Sequence, residues 1–499
     1  MIQQFDSKTR SLIKQIKDWS GDQAHIYLVG GAIRDAISRR PIKDLDFVVP
    51  GETKSIVSRL RKRFDAQAFV LDDERQTARI ILKQDGELQM MLDFVRMNAK
   101  GLQEDLAERD YTINAIALDL QHPEEWIDPC HGVSDLAQGV LRCCSPKSII
   151  LDPLRILRGV RLALDYDLKI EDASINLMRD SASDLQHISR ERVRDELFKI
   201  LQGTEPIRGV RLVDEIGCFF VIFPELSDLQ TIPAHPPHVH PLWEHTLHTA
   251  DYLARIIDLI QGQQEEEGTF PEHLIMAFDA LTPSLEALRD HFSDKFPENR
   301  SRRGLLLLAA LYHDAGKPES LTFGDDRRAH FYGHENPGSI LMDQGAKKLA
   351  LSHAENVFLT TLVKNHMRVH LLAMEKDEIS DKAIHRFFRD CGDTGIDICL
   401  LSVADLLATY DHLLPNTQFF NEIEIVKRLL HVRFNQANTV IKPPILLDGN
   451  DVKAIFSIEP GPMIKDLLTA LHEAQAAQEV STRDEAIRLL RSLIANTRK

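Results

Sequence analysis

The stretch that most constrains this chain is Leu28 to Val49, LVGGAIRDAISRRPIKDLDFVV. Tyr27 to Val29 is apolar and β-prone, Gly30-Gly31 breaks the run, Ala32 to Ser38 favours a helix, and Leu45 to Val49 is β-rich again. The order is strand, glycine turn, short helix, second strand. Asp44 and Asp46 flank Leu45 at the start of the second strand. Side chains alternate along a strand, so both carboxylates face one spot while Leu45 and Phe47 face the core. Such a pair suits two Mg²⁺ ions, which prefer oxygen ligands and bridge to substrate phosphates. Gly30-Gly31 allows backbone amides to approach a triphosphate closely. Taken singly, an Asp-x-Asp pair is a solvated strand end and a Gly-Gly pair is a turn. Their combination around Arg34-Asp35 is the specific signal.

At 499 residues the chain is long enough for about three or four domains. Hydrophobic residues at 43% and charged ones at 27% describe a globular protein. No run of eighteen apolar residues occurs, and MIQQFDSKTR has no apolar signal core, so a cytoplasmic protein with no membrane partner is expected. Cys130, Cys143, Cys144, Cys218, Cys391 and Cys399 show no CxxC or zinc-ribbon spacing and read as reduced thiols. A net charge of −16 argues against a generic nucleic-acid coater but leaves room for a local basic track. Arg59 to Arg63 and the arginines between Arg155 and Arg194 are candidates for that track, or are solvated helix faces.

Residues 28–49 resemble the first motif of the polymerase β-like nucleotidyltransferases, in the class II tRNA nucleotidyltransferase and bacterial poly(A) polymerase family. Asp93 ends an apolar run, Met90 to Phe94, of the kind that lies beside the Asp-x-Asp strand in that family; it is a third carboxylate or a strand cap. Asp105 to Leu120 resembles the second motif, with Arg109, Asp110, Thr112 and Asn114 kept, Glu108 where arginine is common, and Tyr111 for Phe. Trp126 to Arg142 resembles a further segment whose Asp128, Gly132, Asp135, Gly139 and Arg142 suit turns and packing. In LDPLRILRGVRLALDYDL, helical from Pro153, Arg155, Arg158 and Arg161 fall three apart as a basic ridge. That ridge is either an arginine face paired to acids or, by the resemblance, part of a base-reading template made by Asp152 and Arg155. A carboxylate accepts from the exocyclic amino group shared by cytosine and adenine, and a guanidinium donates to the acceptors beside it. Leu151 replaces the family's Glu. Ile188 to Leu201 resembles a further family helix, with Glu191, Arg192 and Glu196 expected on its polar side.

Beyond residue 205 the pattern is almost wholly helical. His245, the pair His313-Asp314, His334, His366 and Asp405 occur in an order that resembles the HD-domain metal phosphohydrolases. The resemblance implies a divalent ion there, Mn²⁺, Ni²⁺, Fe²⁺ or Mg²⁺, with Asp314 able to bridge two ions. The acidic stretch 262–303 reads as a surface excursion.

The expected architecture is α+β: a nucleotidyltransferase head with a mixed sheet (1–145), a helical neck (146–205), an HD domain (206–435) and a helical tail (436–499). The implied activity is transfer of C and A from CTP and ATP to the tRNA 3′ end. Asp44 and Asp46, with Asp93, carry catalysis and Mg²⁺. Gly30, Gly31, Arg34, Arg109, Asp110, Asn114, Asp152, Arg155 and Arg158 bind nucleotide. The alternatives are a poly(A) polymerase, an enzyme adding only CC or A, an HD phosphohydrolase with an RNA-docking head, and a non-enzymatic RNA-binding protein. The intact Asp-x-Asp pair argues against the last two. The oligomeric state is left open.

Overall fold

The computed structural model describes residues 1–20, 25–73, 76–84, 87–98, 100–263, 271–296, 300–325, 327–375 and 378–497. These form two compact units, Met1–Ile222 and Phe223–Lys499.

The first unit opens with α1 (Ser7–Ser20), β1 (Tyr27–Val29), α2 (Gly31–Ile37), β2 (Asp44–Val49) and α3 (Thr53–Phe64). Then come β3 (Gln67–Asp72), β4 (Thr77–Gln84), β5 (Glu87–Arg96), α4 (Leu102–Ala107) and β6 (Ala117–Asp119). The six strands make one mixed sheet in the order β3-β4-β5-β2-β1-β6. β2 runs parallel to β5, and the other pairings are antiparallel. Strand alternation works as the sequence implies. Leu45, Phe47 and Val49 join one core with Phe5, Ile13 and Ile16, while Val29 and Val48 face a second core with Leu106 and Ala117. Each such buried side chain contributes about 1.5–3 kcal/mol. The Phe47 and Phe94 rings stack at 4.9 Å, fixing β2 against β5.

After the sheet follow α5 (Gly132–Ala137), β7 (Val140–Leu141), α6 (Lys147–Leu151), α7 (Arg155–Asp165), β8 (Lys169–Ile170), α8 (Asp172–Asp180), α9 (Arg190–Leu201), α10 (Pro206–Glu215) and α11 (Phe219–Ile222). Helix α7 begins at Arg155 rather than Pro153, because Asp152 is extended (φ −150°) and breaks the chain between α6 and α7. Helices α10 and α11 belong to this unit, beyond the neck boundary expected from sequence. Gly209 explains part of this: a Cβ there would lie 2.4 Å from Ile200, so α10 is packed hard on α9. Glu196 is not on the polar side of α9 but buried. It accepts from Arg161 at 3.0 Å and Lys199 at 2.7 Å, and these cations make its burial tolerable.

The second unit contains α12 (Leu242–Ile260), α13 (Glu272–Leu281), α14 (Leu285–Ser293), α15 (Arg302–Tyr312), α16 (Lys317–Ser320), β9 (Thr322–Phe323), β10 (Ala329–His330) and α17 (Glu335–Lys348). It continues with α18 (His353–Asn365), α19 (Arg368–Met374), α20 (Asp381–Cys391), α21 (Thr394–Tyr410) and α22 (Asn416–Asn435). It closes with α23 (Gly449–Phe456), α24 (Pro462–Ala476) and α25 (Arg483–Thr497), which share a core of Leu447, Val452, Leu471 and Leu490. The stretch 262–303 departs from expectation. Glu265 to Glu267 lie outside the described residues, but α13 and α14 bury Leu274, Leu281, Leu288 and Phe292. Arg300 and Arg303 are buried too, paired with Glu355 and Asp258. The acidic composition hid a short helical periodicity. No described helix is long and apolar enough to cross a membrane.

Candidate active site

The parallel pairing of β2 with β5 sets Asp46 directly opposite Asp93, with Asp44 two residues earlier on the same face. Burial, then the neighbouring carboxylate of Asp44, pushes the Asp46 carboxyl up to about 6. Asp44 is also raised, by burial first and then by Asp35 and Asp93. Acids that repel one another in this way are relieved by a cation, and an all-oxygen donor set fits Mg²⁺. Asp93 is differently placed. Arg79 donates to both its oxygens at 2.7 Å. Nor is Asp93 a strand cap, because β5 continues to Arg96.

Gly30 closes the site from the β1 side. Its φ of +76° is a left-handed conformation that favours glycine, and a Cβ there would lie 2.9 Å from Arg109 Nη1. Its amide is already bonded to Ile116 O, so it does not serve a phosphate; what it provides is room. Gly31 starts α2, with Arg34 against it. Arg34 donates to Asn114 Oδ1 at 2.5 Å and to Asp35 Oδ1 at 2.9 Å, and lies over the Tyr166 ring at 4.3 Å. Arg109 Nε is buried without a hydrogen bond, 3.8 Å from Asp105.

A chain of bonds leads from there to α7. Asn114 donates to Asp110 Oδ1 at 3.0 Å, and Arg158 donates to Asp110 Oδ2 at 2.9 Å. Burial works to raise the Asp110 carboxyl, but Arg158 and Asn114 overcome it and hold it below its usual value. Arg109, Asp110, Asp152, Arg155 and Arg158 thus line one cavity of about 430 Å³. Arg158 and Arg161 are the acid-paired face that was one reading of the ridge. Arg155 is not bonded to the Asp152 side chain. Its Nη1 donates to the carbonyls of Glu108 and Ser148 at 3.0 and 3.1 Å. Arg192 takes the place beside Asp152, at 2.7 Å.

In the second unit the six expected residues meet, all buried. His245 lies 3.0 Å from Asp405 and 3.4 Å from Asp314, and His313 lies 3.2 Å from Asp314. Asp314 turns its other oxygen to His334 at 3.1 Å and His366 at 3.8 Å. The histidines are oriented by backbone. Nδ1 of His313, His334 and His366 sits 2.8, 2.8 and 2.7 Å from the carbonyls of Ala310, Phe331 and Val363. A carbonyl only accepts, so each Nδ1 carries the hydrogen and each Nε2 is left to face the cluster. His334 Nε2 and His366 Nε2 then lie 3.1 Å apart, an arrangement that a shared cation satisfies. Burial brings His366 down to about 4, so its Nε2 is a free lone pair at neutral pH. Burial opposes the charge on His313 as well, but Asp314 and Asp405 carry it up to about 10. Asp314, His334 and His366 form one possible ligand set, and His245, His313 and Asp405 another.

Several participants were not singled out from sequence. Arg79 and Tyr166 carry no motif signal. Lys317, 2.6 Å from Asp314, is one helical turn along, and that spacing could have exposed it. His370 is four residues after His366 and bridges Asp405 at 2.9 Å to Glu422 at 2.8 Å.

Comparison with known proteins agrees with this geometry. Residues 26–142 match the poly A polymerase head domain, and residues 167–229 match a probable RNA and SrmB- binding site of polymerase A. An A-adding tRNA nucleotidyltransferase of Deinococcus radiodurans is 30% identical over 92% of this chain and 93% of its own length. A CC-adding tRNA nucleotidyltransferase of Geobacter sulfurreducens is 27% identical over 93% and 91%. A multifunctional CCA protein of Mannheimia succiniciproducens, 32% identical, covers 62% of this chain and 67% of its own. Among solved structures, a CCA-adding enzyme in complex with CTP shares the fold, with TM-score 0.64 and 18% identity over 99% of this chain and 97% of that one. With a strand-borne carboxylate pair beside a glycine turn and a near full-length relative at this identity, the chain belongs to the class II tRNA nucleotidyltransferase and bacterial poly(A) polymerase family.

Proposed function

We propose that this chain transfers C and A residues from CTP and ATP to the 3′ end of tRNA without a template. The observation that carries this reading is the Asp44–Asp46 pair on one face of β2, with Asp46 beside Gly30 and Arg109. Mg²⁺ held by these carboxylates supplies charge neutralisation for the attacked phosphate and the departing pyrophosphate. Arg34, fixed by Asp35, Asn114 and Tyr166, and Arg109, whose Nε has no hydrogen bond, receive the triphosphate. Asp93, held by Arg79 through one bond to each oxygen, keeps lone pairs that could serve as a third ligand. Asp152 accepts from the exocyclic amino group of cytosine or adenine, and uracil and guanine offer a carbonyl there instead. Arg155 uses only Nη1 on the carbonyls of Glu108 and Ser148, so its Nε and Nη2 remain to donate to the same base.

A narrower activity, addition of CC or of A alone, is the second reading. It is favoured by the near full-length match to partial adders and by Leu151 and Glu108, which depart from the family pattern. Transcripts of one tRNA ending at the discriminator base, after one C and after two, separate the cases. A complete enzyme extends all three to CCA, a CC-adder stops before A, and an A-adder extends only the last. Long tails on any RNA would assign a poly(A) polymerase, and no extension of any transcript would overturn the reading.

The second unit is proposed as an HD-type phosphohydrolase site for a divalent ion such as Mn²⁺, Ni²⁺ or Mg²⁺. Its ligands are His245, His313, Asp314, His334, His366 and Asp405, and the facing Nε2 atoms of His334 and His366 support it. A divalent ion held by these residues would supply Lewis-acid chemistry toward a phosphoryl oxygen and a bound water.

A further inference from the structure

We propose that Arg192 is the positioning residue for base selection: it holds one oxygen of Asp152, Oδ2, and leaves the other, Oδ1, as the acceptor without a partner. The inference rests on the nucleotide-transfer reading above and assigns a role to a residue of α9.

Asp152 sits where the chain breaks between α6 and α7, so its backbone is fixed by two helices and by the bond from Arg155 N to its carbonyl at 3.0 Å. Its side chain still turns about χ1 and χ2. Arg192 Nη2 restricts both by donating to Oδ2 at 2.7 Å. The other oxygen, Oδ1, is buried and has no hydrogen-bond partner. Both residues line the cavity that Arg109, Arg155 and Arg158 also line. A buried carboxylate oxygen without a donor is unfavourable, so it selects a ligand that brings one. The exocyclic amino group of cytosine or adenine does so; the carbonyl of uracil or guanine in that place does not. Leu151, the immediate neighbour, has its side chain largely in solvent and offers no polar atom. The orienting partner therefore comes from α9, whose Val193, Leu197 and Ile200 are buried and hold Arg192 in register.

The amide test isolates this role. In Asp152→Asn, Arg192 demands an acceptor and keeps the amide oxygen, so the NH₂ takes the place of Oδ1. A donor now meets the base, and preference shifts from CTP and ATP toward UTP and GTP. In the Asp152→Asn, Arg192→Ala double variant the amide turns freely, and the shift collapses. Arg192→Ala alone raises KM for CTP and ATP about ten- to a hundredfold, leaves KM for UTP and GTP unchanged, and changes kcat little. Arg192→Lys restores part of the difference, because an ammonium reaches a single oxygen but lacks the guanidinium fork.

The experiment is single-nucleotide incorporation on a tRNA transcript with each of the four triphosphates, for the wild type and these four variants. Equal losses for all four nucleotides in Arg192→Ala, or an unchanged ranking, overturn the inference. So does an Asp152→Asn preference that is the same with and without Arg192. If Arg192→Ala does not fold, the Arg192→Lys and Asp152→Asn measurements decide. A wild type that incorporates no nucleotide overturns the functional reading and this inference together; a selective wild type with an unaffected Arg192→Ala overturns only the role of Arg192.

Discussion

Replacing Asp46 by Asn should abolish nucleotide incorporation and, without metal, make the protein more stable. The carboxyl stands at about 6 against its usual 3.8, because burial and the adjacent Asp44 disfavour its charge. The folded chain holds this proton more tightly than the unfolded chain does. The favourable contribution is complete below about pH 4, is lost as pH rises through about 6, and is absent above. A shift of this size corresponds to about 3 kcal/mol at most. Solvent screening at a partly accessible carboxylate reduces this to about 1–2 kcal/mol. The neutral amide does not incur that penalty, so above pH 7 in chelator the variant should melt about 2–8 °C higher than the wild type. The gain should vanish below about pH 4. Mg²⁺ should close the gap at high pH by stabilising the wild type alone. Thermal unfolding across pH, with chelator or with Mg²⁺, reads all three effects. A variant no more stable than the wild type above pH 7, or a gain independent of pH, would refute the reasoning.

Three further outcomes follow from the same geometry. Asp44→Ala should retain less than about a tenth of wild-type incorporation in a Mg²⁺ assay with the fold intact, because removing a metal ligand removes transition-state charge neutralisation; circular dichroism and initial rates check both parts. Gly30→Ala forces a side chain into a left-handed backbone at about 1–2 kcal/mol and against Arg109, so KM for the triphosphate should rise together with a small loss of melting temperature. Asp314→Ala should abolish metal-dependent phosphate or phosphodiester hydrolysis and lower bound metal by elemental analysis while leaving nucleotide addition intact, since its partners His245, His313, His334 and His366 all belong to the second unit.

Much of the head was legible because its signals are local. Strand alternation placed Asp44 and Asp46 on one face, and the Gly30-Gly31 break fell where the chain turns, although the Gly30 amide expected to approach a phosphate is bonded to Ile116 O. The third carboxylate was harder. Asp93 does lie beside Asp46, but its engagement by Arg79 depends on a β4–β5 register that no periodicity encodes. For the proposed base-reading pair, Asp152 and Arg155, the residues could be named from sequence but their contacts could not. Arg155 bonds to two backbone carbonyls, and a sequence pattern names side chains without showing carbonyls. Arg192 was visible only as a polar residue of α9, and its tie to Asp152 is long-range. The buried Glu196 misled because a charged residue reads as exposed unless its cations are known. The histidine cluster was found through its ordered motifs, whereas His370 and Lys317 were passed over although helical spacing pointed to both. The helices of the stretch 262–303 were masked by acidic composition.

The most direct measurement is the product ladder formed on a tRNA transcript lacking its 3′ end, with each triphosphate offered alone and then together, for the wild type and Asp44→Ala. The wild type should give a short, defined extension from CTP, ATP or both and little from UTP or GTP, and the variant less than about a tenth of that extension. Extension above that level in Asp44→Ala, or a wild type that extends no tRNA with any triphosphate, would contradict the account.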